Sequence, residues 1–177
     1  MLKHCSMLVA LSLVFVAQAH ANDGGRQKEF QFRLSGAQED PTVITSARGN
    51  ATLRIVGNTI AYNVRYRDLA SDIQQAHIHI GADDTTGAIA VFLCTNLGNG
   101  PTGTPACGPP RSGQITGVIE AADVLDDPKL LAQGISAGDI AGLIRAIRTG
   151  LAYVNIHTVL SPAGEIRGDV AHHEHEN

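Results

Sequence analysis

Apolar and polar residues alternate over much of the chain, which is the pattern of strands with one buried face. Every second residue from Phe30 to Leu34 is apolar. The alternation returns over 51–55 and 60–66 on either side of Gly57-Asn58, which predicts a hairpin with a tight turn. Further short strands are predicted over 74–80, 88–93, 113–119, 153–159 and 165–170, the last two forming a final hairpin. The pattern therefore predicts about seven or eight strands.

Helical spacing of apolar residues occurs in one region only, between 121 and 149. Four residues before Gly150 repeat at this spacing, namely Ile140, Leu143, Ile144 and Ile147. They predict a helix over about 137–149 with Ser136 as its N-cap. A weaker helix is predicted over 121–133, divided by Pro128. The sequence thus predicts an all-β fold, a Greek-key β-sandwich or barrel with one helical crossover near 121–149.

The first residues resemble an export signal. Lys3 supplies a positive charge, residues 8–16 are apolar or small, and Ala19-His20-Ala21 fits the cleavage pattern of signal peptidase. We expect residues 1–21 to be a signal peptide and residues 22–29 a polar leader. The mature protein is then periplasmic or secreted, and no later segment is apolar enough to span a membrane.

Cleavage at this point removes Cys5 and leaves Cys94 and Cys107 in an oxidising compartment. We predict a disulfide between them, which would fix the Gly/Pro/Thr-rich segment 96–110. A thiolate metal or redox pair is the alternative, and it is disfavoured because the spacing is not Cys-x-x-Cys.

Composition argues against several partners. The formal net charge is −4, with 13 basic and 17 acidic residues, so no general attraction to nucleic acid or anionic lipid is expected. No nucleophile elbow or phosphate-binding glycine loop is found. The arginines of the 51–67 hairpin are expected to form a solvated face.

The residues most suggestive of chemistry are histidines. His77 and His79 lie on one face of a predicted strand, about 7 Å apart along the backbone. His157 lies on the polar face of a late strand, and the three imidazoles converge if those strands are neighbours. With Glu165 or water as a fourth ligand, they would suit zinc or copper. The alternative is a structural role, in which the ring nitrogens hydrogen-bond to the backbone or to acidic neighbours.

Two further polar groups have competing interpretations. Glu165 and Arg167 share one side of the last strand, which predicts an ion pair. The tail, residues 171–177, is rich in His and Glu. It either captures divalent metals weakly or is simply solvated.

Five short motifs stand out along the chain. They are Leu34-Ser35-Gly36-Ala37-Gln38-Glu39-Asp40-Pro41, Ala76-His77-Ile78-His79-Ile80-Gly81, Gly87-Ala88-Ile89-Ala90-Val91-Phe92-Leu93, Ala152-Tyr153-Val154-Asn155-Ile156-His157-Thr158 and Gly164-Glu165-Ile166-Arg167-Gly168. Together they resemble the CHRD domain family, which occurs in chordin and in many microbial secreted proteins. They occur in the family's order, and the resemblance extends from about Phe30 to Val170. The segment Asp40-Pro41-Thr42 stands where the family often has a double proline, and the Cys94–Cys107 insertion is longer than in many members.

The resemblance implies a sandwich similar to immunoglobulin domains or to copper/zinc superoxide dismutase. It implies no reaction, since the family has none that is generally established, and fold alone does not decide activity. We therefore expect an exported, non-enzymatic binding module whose partner is an extracytoplasmic protein or a metal ion, copper or zinc. A purely structural or adhesive domain is the alternative. A superoxide-dismutase-like enzyme is disfavoured because further histidines and an aspartate for a two-metal site are lacking.

Overall fold

The computed structural model describes residues 28–82 and 85–169. The predicted signal peptide, most of the leader and the tail lie outside the described residues. Eight strands are present: β1 (Glu29–Ser35), β2 (Arg48–Val56), β3 (Thr59–Arg67), β4 (Ile73–Ile80), β5 (Ala88–Thr95), β6 (Gly113–Ile119), β7 (Ala152–Thr158) and β8 (Ile166–Asp169).

The strands form one antiparallel sheet in the order β5-β4-β7-β8-β1-β2-β3-β6. β1 and β8 are joined by the single pair Ser35 and Arg167. This junction divides the sheet into two halves, one with β5, β4, β7 and β8 and the other with β1, β2, β3 and β6. The Tyr62 hydroxyl on β3 donates to the Leu93 carbonyl on β5 at 2.8 Å, which links the two halves. The predicted all-β class with a short helical part is confirmed. The two expected layers are halves of one curled, nearly closed sheet.

Burial differs between the two halves. β1, β2 and β3 alternate between buried and solvent-facing residues, as their sequence predicts. All seven residues of β7 are buried, and so are the last five of β4. Ile78, Val154 and Ile156 belong to the hydrophobic core. The opposite face of these strands is polar and yet buried.

The helical region contains α1 (Pro128–Ala132) and α2 (Ile140–Arg148). The predicted break at Pro128 is confirmed, because a 3-10 turn over Ala121–Asp123 precedes α1, and Pro128 occupies its first turn. The predicted start of α2 is wrong. Asp139, not Ser136, is the N-cap, and its Oδ1 accepts from the Gly142 amide at 2.8 Å. Gly138 has a φ of 76°, which is incompatible with a helix reaching back to 137.

The predicted disulfide is confirmed, with an S–S distance of 2.07 Å between Cys94 and Cys107. It attaches the loop after β5 to a strand end whose Cys94 side chain is fully buried. The Cys107 amide also donates to Asn96 Oδ1 at 3.0 Å, and the Asn96 amide group donates to the Ile73 carbonyl at 3.1 Å. The loop is therefore held against β4 as well as β5.

Candidate metal centre

Three histidines meet on the buried polar face because β4 and β7 are direct neighbours. His77 pairs with Asn155 in register, and Gln75 pairs with His157. One ring nitrogen from each of His77, His79 and His157 lies within 4.8 Å of the other two. Chain segments about eighty positions apart therefore bring their imidazoles to one point, as the sequence pattern predicts.

The rings are almost completely removed from solvent. His77 is 0% exposed, and His79 and His157 are each 6% exposed. The His77 ring packs edge-on against Phe92 of β5, with centroids 4.3 Å apart. Water cannot satisfy ring nitrogens at this depth unless it is itself enclosed.

Two backbone carbonyls determine which nitrogens carry protons. His79 Nδ1 lies 3.1 Å from the Gly87 carbonyl, and His157 Nδ1 lies 3.0 Å from the Pro162 carbonyl. A carbonyl only accepts, so both Nδ1 atoms donate. In the neutral rings, Nε2 of each then bears a lone pair.

Those lone pairs are only partly used. His77 Nδ1 lies 3.0 Å from His157 Nε2 and donates to it. His77 Nε2 and His79 Nε2 are buried and have no hydrogen-bond partner among the described residues. An unpartnered buried nitrogen costs about 1–3 kcal/mol, so two of them in one cluster call for an explanation.

All three rings stay neutral at pH 7. Burial, reinforced by the neighbouring imidazoles of His157 and His79, lowers the pKa of His77 to about 2. Burial also lowers the pKa of His79 to about 4, against the opposing effects of its bond to Gly87 and of the neighbouring Asn155 side chain. The pKa of His157 is lowered by burial as well. Neutral imidazole is the form that binds metals.

Asn155 is a member of the cluster that the sequence did not single out as a ligand. Its Oδ1 lies 3.0 Å from His157 Nε2. An amide oxygen facing a nitrogen lone pair is favourable only with a proton or cation between them, or with the amide turned to present its NH₂. Its position two residues before His157 is the signal that places both on one face.

Glu165 lies apart from the histidine cluster. Its carboxylate is 0% exposed, and it accepts from three donors. Oε1 accepts from the Thr45 hydroxyl and the Ala70 amide at 2.8 and 2.9 Å, and Oε2 accepts from the Thr158 hydroxyl at 2.8 Å. These bonds tie the 36–47 loop to the end of β7, so we do not include Glu165 in the metal centre.

The predicted ion pair between Glu165 and Arg167 does not form. Arg167 pairs instead with Asp169 at 2.8 Å and donates to the carbonyls of Ala82 and Thr85. Its guanidinium carbon lies 3.5 Å from the Tyr153 ring centroid. Glu165 and Asp169 each lie two positions from Arg167 along the strand, so the sequence alone does not show which of them pairs with the arginine.

Tyr153 connects this arginine to the histidines. Its ring is stacked parallel to His79, with centroids 4.7 Å apart, and its hydroxyl accepts from the Gly87 amide at 3.0 Å. We call the buried outward-facing side chains of β4, β7 and β8 the polar layer: His77, His79, Tyr153, Asn155, His157 and Arg167. Ala82, Thr85 and Gly87 lie against it through their contacts with His79, Tyr153 and Arg167.

Glu39 is a buried acid that sequence reasoning missed. It is 9% exposed, and its Oε1 has no hydrogen-bond partner among the described residues. Burial raises its pKa to about 7, although nearby Arg167 acts to lower it. A Cβ at Gly164 would lie 2.6 Å from both carboxylate oxygens, and the φ of 138° at this position favours glycine.

The fold is thus an all-β domain with a buried polar layer and a three-histidine cluster. Residues 30–170 match the family model of the CHRD domain, and the chain belongs to the CHRD domain family. No curated protein matches the chain, and no solved structure matches it. Within the described residues, no helix has the length and apolar character needed to cross a membrane.

Proposed function

We propose that this protein is an exported, non-enzymatic CHRD-domain binding module that holds one zinc or copper ion between His77, His79 and His157. The observation that carries the proposal is His79 Nε2. It is buried, bears a lone pair and lacks a partner, while the Gly87 carbonyl holds the opposite side of the ring. Metal-bound histidines typically donate their other ring N–H to a carbonyl in this way.

The dimensions of the cluster suit one ion. Nitrogens bound tetrahedrally at about 2.0–2.1 Å lie roughly 3.3–3.4 Å from one another. His77 and His157 are already 3.0 Å apart, and the widest separation in the cluster is within 4.8 Å. An ion bound there would take the place of the hydrogen bond between His77 Nδ1 and His157 Nε2, and the proton of the neutral His77 ring would then be carried by its Nε2.

The donor set selects the kind of metal. Both cysteines of the described chain are in the disulfide, so no thiolate is offered to soft copper(I). The cluster contains no carboxylate, which disfavours calcium and magnesium. Three imidazoles suit zinc or copper(II), and Asn155 Oδ1 or water can complete the coordination.

The proposal is tested by titrating zinc and copper into metal-free protein in a calorimeter. The tail must be controlled, so a variant with His172, His173 and His175 replaced by Asn serves as the reference. We expect one site per chain in this reference protein and loss of that site on adding His79→Ala. Unchanged affinity in the His79→Ala protein, or no binding in the reference protein, would overturn the proposed site.

A purely structural role is the second candidate. It is favoured by the bonds from His79 and His157 to two separate loops, at Gly87 and Pro162. In that case a chelator leaves the melting temperature of the wild type unchanged. His79→Ala then lowers the melting temperature equally with and without chelator. The metal site predicts that a chelator destabilises only the wild type.

An extracytoplasmic location is supported by the disulfide and by the family. Disulfides persist in oxidising compartments and are rare in the cytosol. Fractionation of a native host, with antibody detection in periplasm and medium, would decide between periplasm and secretion. Recovery only from the cytoplasm would contradict the proposed export.

A further inference from the structure

Four arginines gather at one end of the outer face of β1, β2 and β3, and we call them the arginine cluster: Arg33, Arg48, Arg65 and Arg67. The strand register places them in two adjacent rows. Arg33, Asn50 and Arg65 lie side by side in one row, and Ser35, Arg48 and Arg67 form the next. With strands about 4.8 Å apart and alternate residues about 7 Å apart, their Cα atoms occupy a patch of roughly 10 by 7 Å.

This charge has few acidic partners, although the Arg48 guanidinium donates to the carbonyls of Thr45 and Ala47. Arg67 forms an exposed ion pair with Asp68, but no described carboxylate pairs with Arg33, Arg48 or Arg65. Arg48 lies directly opposite Arg67, and like charges in that position are destabilising. The chain as a whole carries a net charge of −4, so the patch departs in sign from its average.

The arginine cluster lines a concave surface. A cavity of about 520 Å³ is bordered by all four arginines together with Ser35 and Gln38. A second hollow of about 430 Å³ is bordered by Asn50, Thr52, Asn63 and Arg65. Because Asn50 and Arg65 border both, the two hollows adjoin along β2 and β3, and we call them together the groove. One end of the groove is cationic, and the other offers neutral amide and hydroxyl groups.

We propose that this groove binds an anionic polysaccharide bearing sulfate or carboxylate groups. Guanidinium groups bind such oxyanions with two parallel hydrogen bonds. The neutral end supplies Asn50, Thr52 and Asn63, whose amides and hydroxyl both donate to and accept from sugar hydroxyls. One end of the groove thus matches the charges of the polymer, and the other matches its uncharged hydroxyls.

Other polyanions fit the groove less well. Single-stranded nucleic acid is bound largely by base stacking on exposed aromatic rings, but the only aromatic lining residue is Tyr66, which is 3% exposed. An acidic protein surface requires apolar or aromatic anchors at the centre of its interface. The centre of this groove is polar instead. The four arginines are exposed, as the solvated face expected from sequence requires, and the proposal adds a ligand for that face.

The experiment measures binding of a heparin-derived octasaccharide to the full chain in EDTA, at low and at high salt. The test variant is Arg33→Gln/Arg65→Gln. The matched control is Arg111→Gln/Arg145→Gln, which removes the same charge outside the groove. We expect the test variant to bind at least about tenfold more weakly than wild type, as loss of charge-assisted hydrogen bonds predicts, while the control stays within about twofold.

Equal weakening in both variants, or no binding at low salt, would overturn the proposal. So would equally tight binding of a single-stranded oligonucleotide of the same charge, because attraction would then be unspecific. If the double variant does not fold, as judged by its melting curve, the exposed single substitution Arg65→Gln takes its place with an expected loss of at least about threefold. His79→Ala should bind the octasaccharide as wild type does, which separates this surface from the metal centre.

Discussion

Burial lowers the pKa of His79 and raises the pKa of Glu39. As the pH falls, the two residues therefore change the free energy of unfolding in opposite directions. The unfolded chain protonates its histidines near pH 6.5, whereas folded His79 stays neutral down to about 4. Lowering the pH below 6.5 therefore favours the unfolded, proton-binding state. Glu39 does the reverse, because the folded carboxyl holds its proton up to about pH 7 and the unfolded one releases it near 4.5. Its contribution is present below 4.5 and is lost as pH rises through 7.

Replacing Glu39 separates the two effects. Glu39→Gln removes a buried charge that the wild type carries above pH 7, so we expect the variant to be more stable at pH 8 by about 1–3 kcal/mol. At pH 4.5 the two proteins should differ little. Between pH 6.5 and 5, the variant should lose stability more steeply than wild type. In the variant, no gain from Glu39 protonation offsets the loss caused by the buried histidines. Urea unfolding of metal-free protein at several pH values measures this, with exposed Asp126→Asn as the control. A constant difference across pH would contradict the assignment.

At the scale of elements, the start of α2 depends on one side chain. Asp139 Oδ1 accepts from the Gly142 amide, which otherwise has no intrahelical partner. We expect Asp139→Ala to cost about 1 kcal/mol of unfolding free energy, and Ser136→Ala, three residues earlier, to cost close to nothing. Chemical denaturation of both variants tests this. Equal losses of unfolding free energy in the two variants would contradict the assignment of Asp139 as the N-cap.

The disulfide constrains a second element, the loop between β5 and β6. Thirteen positions separate its cysteines, and a closed loop of this size contributes about 3 kcal/mol in the chain-entropy model. We expect a Cys94→Ala/Cys107→Ala double variant to lose stability of this order in thermal or urea unfolding. Wild type unfolded in the presence of a reductant should show the same loss. A double variant as stable as wild type would show that the hydrogen bonds of Asn96 suffice to hold the loop.

The accuracy of sequence prediction varied by element for identifiable reasons. Strands β1 to β3 have one face in solvent, so strict alternation marked them. The apolar repeat from Ile140 to Ile147 located α2, but it contains no information on where the chain enters the helix, and Gly138 decides that. Glu39 lies in a loop without periodicity, so no pattern pointed to its burial.

The sequence predicted which residues belong to the candidate site, but not how they are arranged in space. Two-residue spacing placed His77 and His79 on one face, but adjacency to His157 depends on strand order, which no local pattern encodes. Ala82, Thr85 and Gly87 contact the polar layer and help to bury it. Nothing in the alternation of β7 distinguishes such a covered polar face from one in water. The partners of Glu165 and Arg167 were missed for the same reason.

At the scale of the whole molecule, metal binding should appear as a change in global stability. An ion that binds only the folded state at a hundred times its Kd adds about 2.7 kcal/mol, which raises the melting temperature by roughly 5–10 °C for a domain of this size. Differential scanning calorimetry of the tail-substituted protein, with and without zinc, measures this shift. His77→Ala should abolish it. A shift that survives in His77→Ala would place the ion elsewhere.

The depth of the three rings also has a kinetic consequence. Since none of them is more than 6% exposed, an ion held there has no direct route to solvent. Departure must await a transient opening of the chain around Gly87 or Pro162, and that opening sets the residence time. Removal of the ion by a chelator should then reach a limiting rate that does not depend on the chelator's affinity or concentration. The protein would retain its ion even in surroundings where thermodynamics favours release.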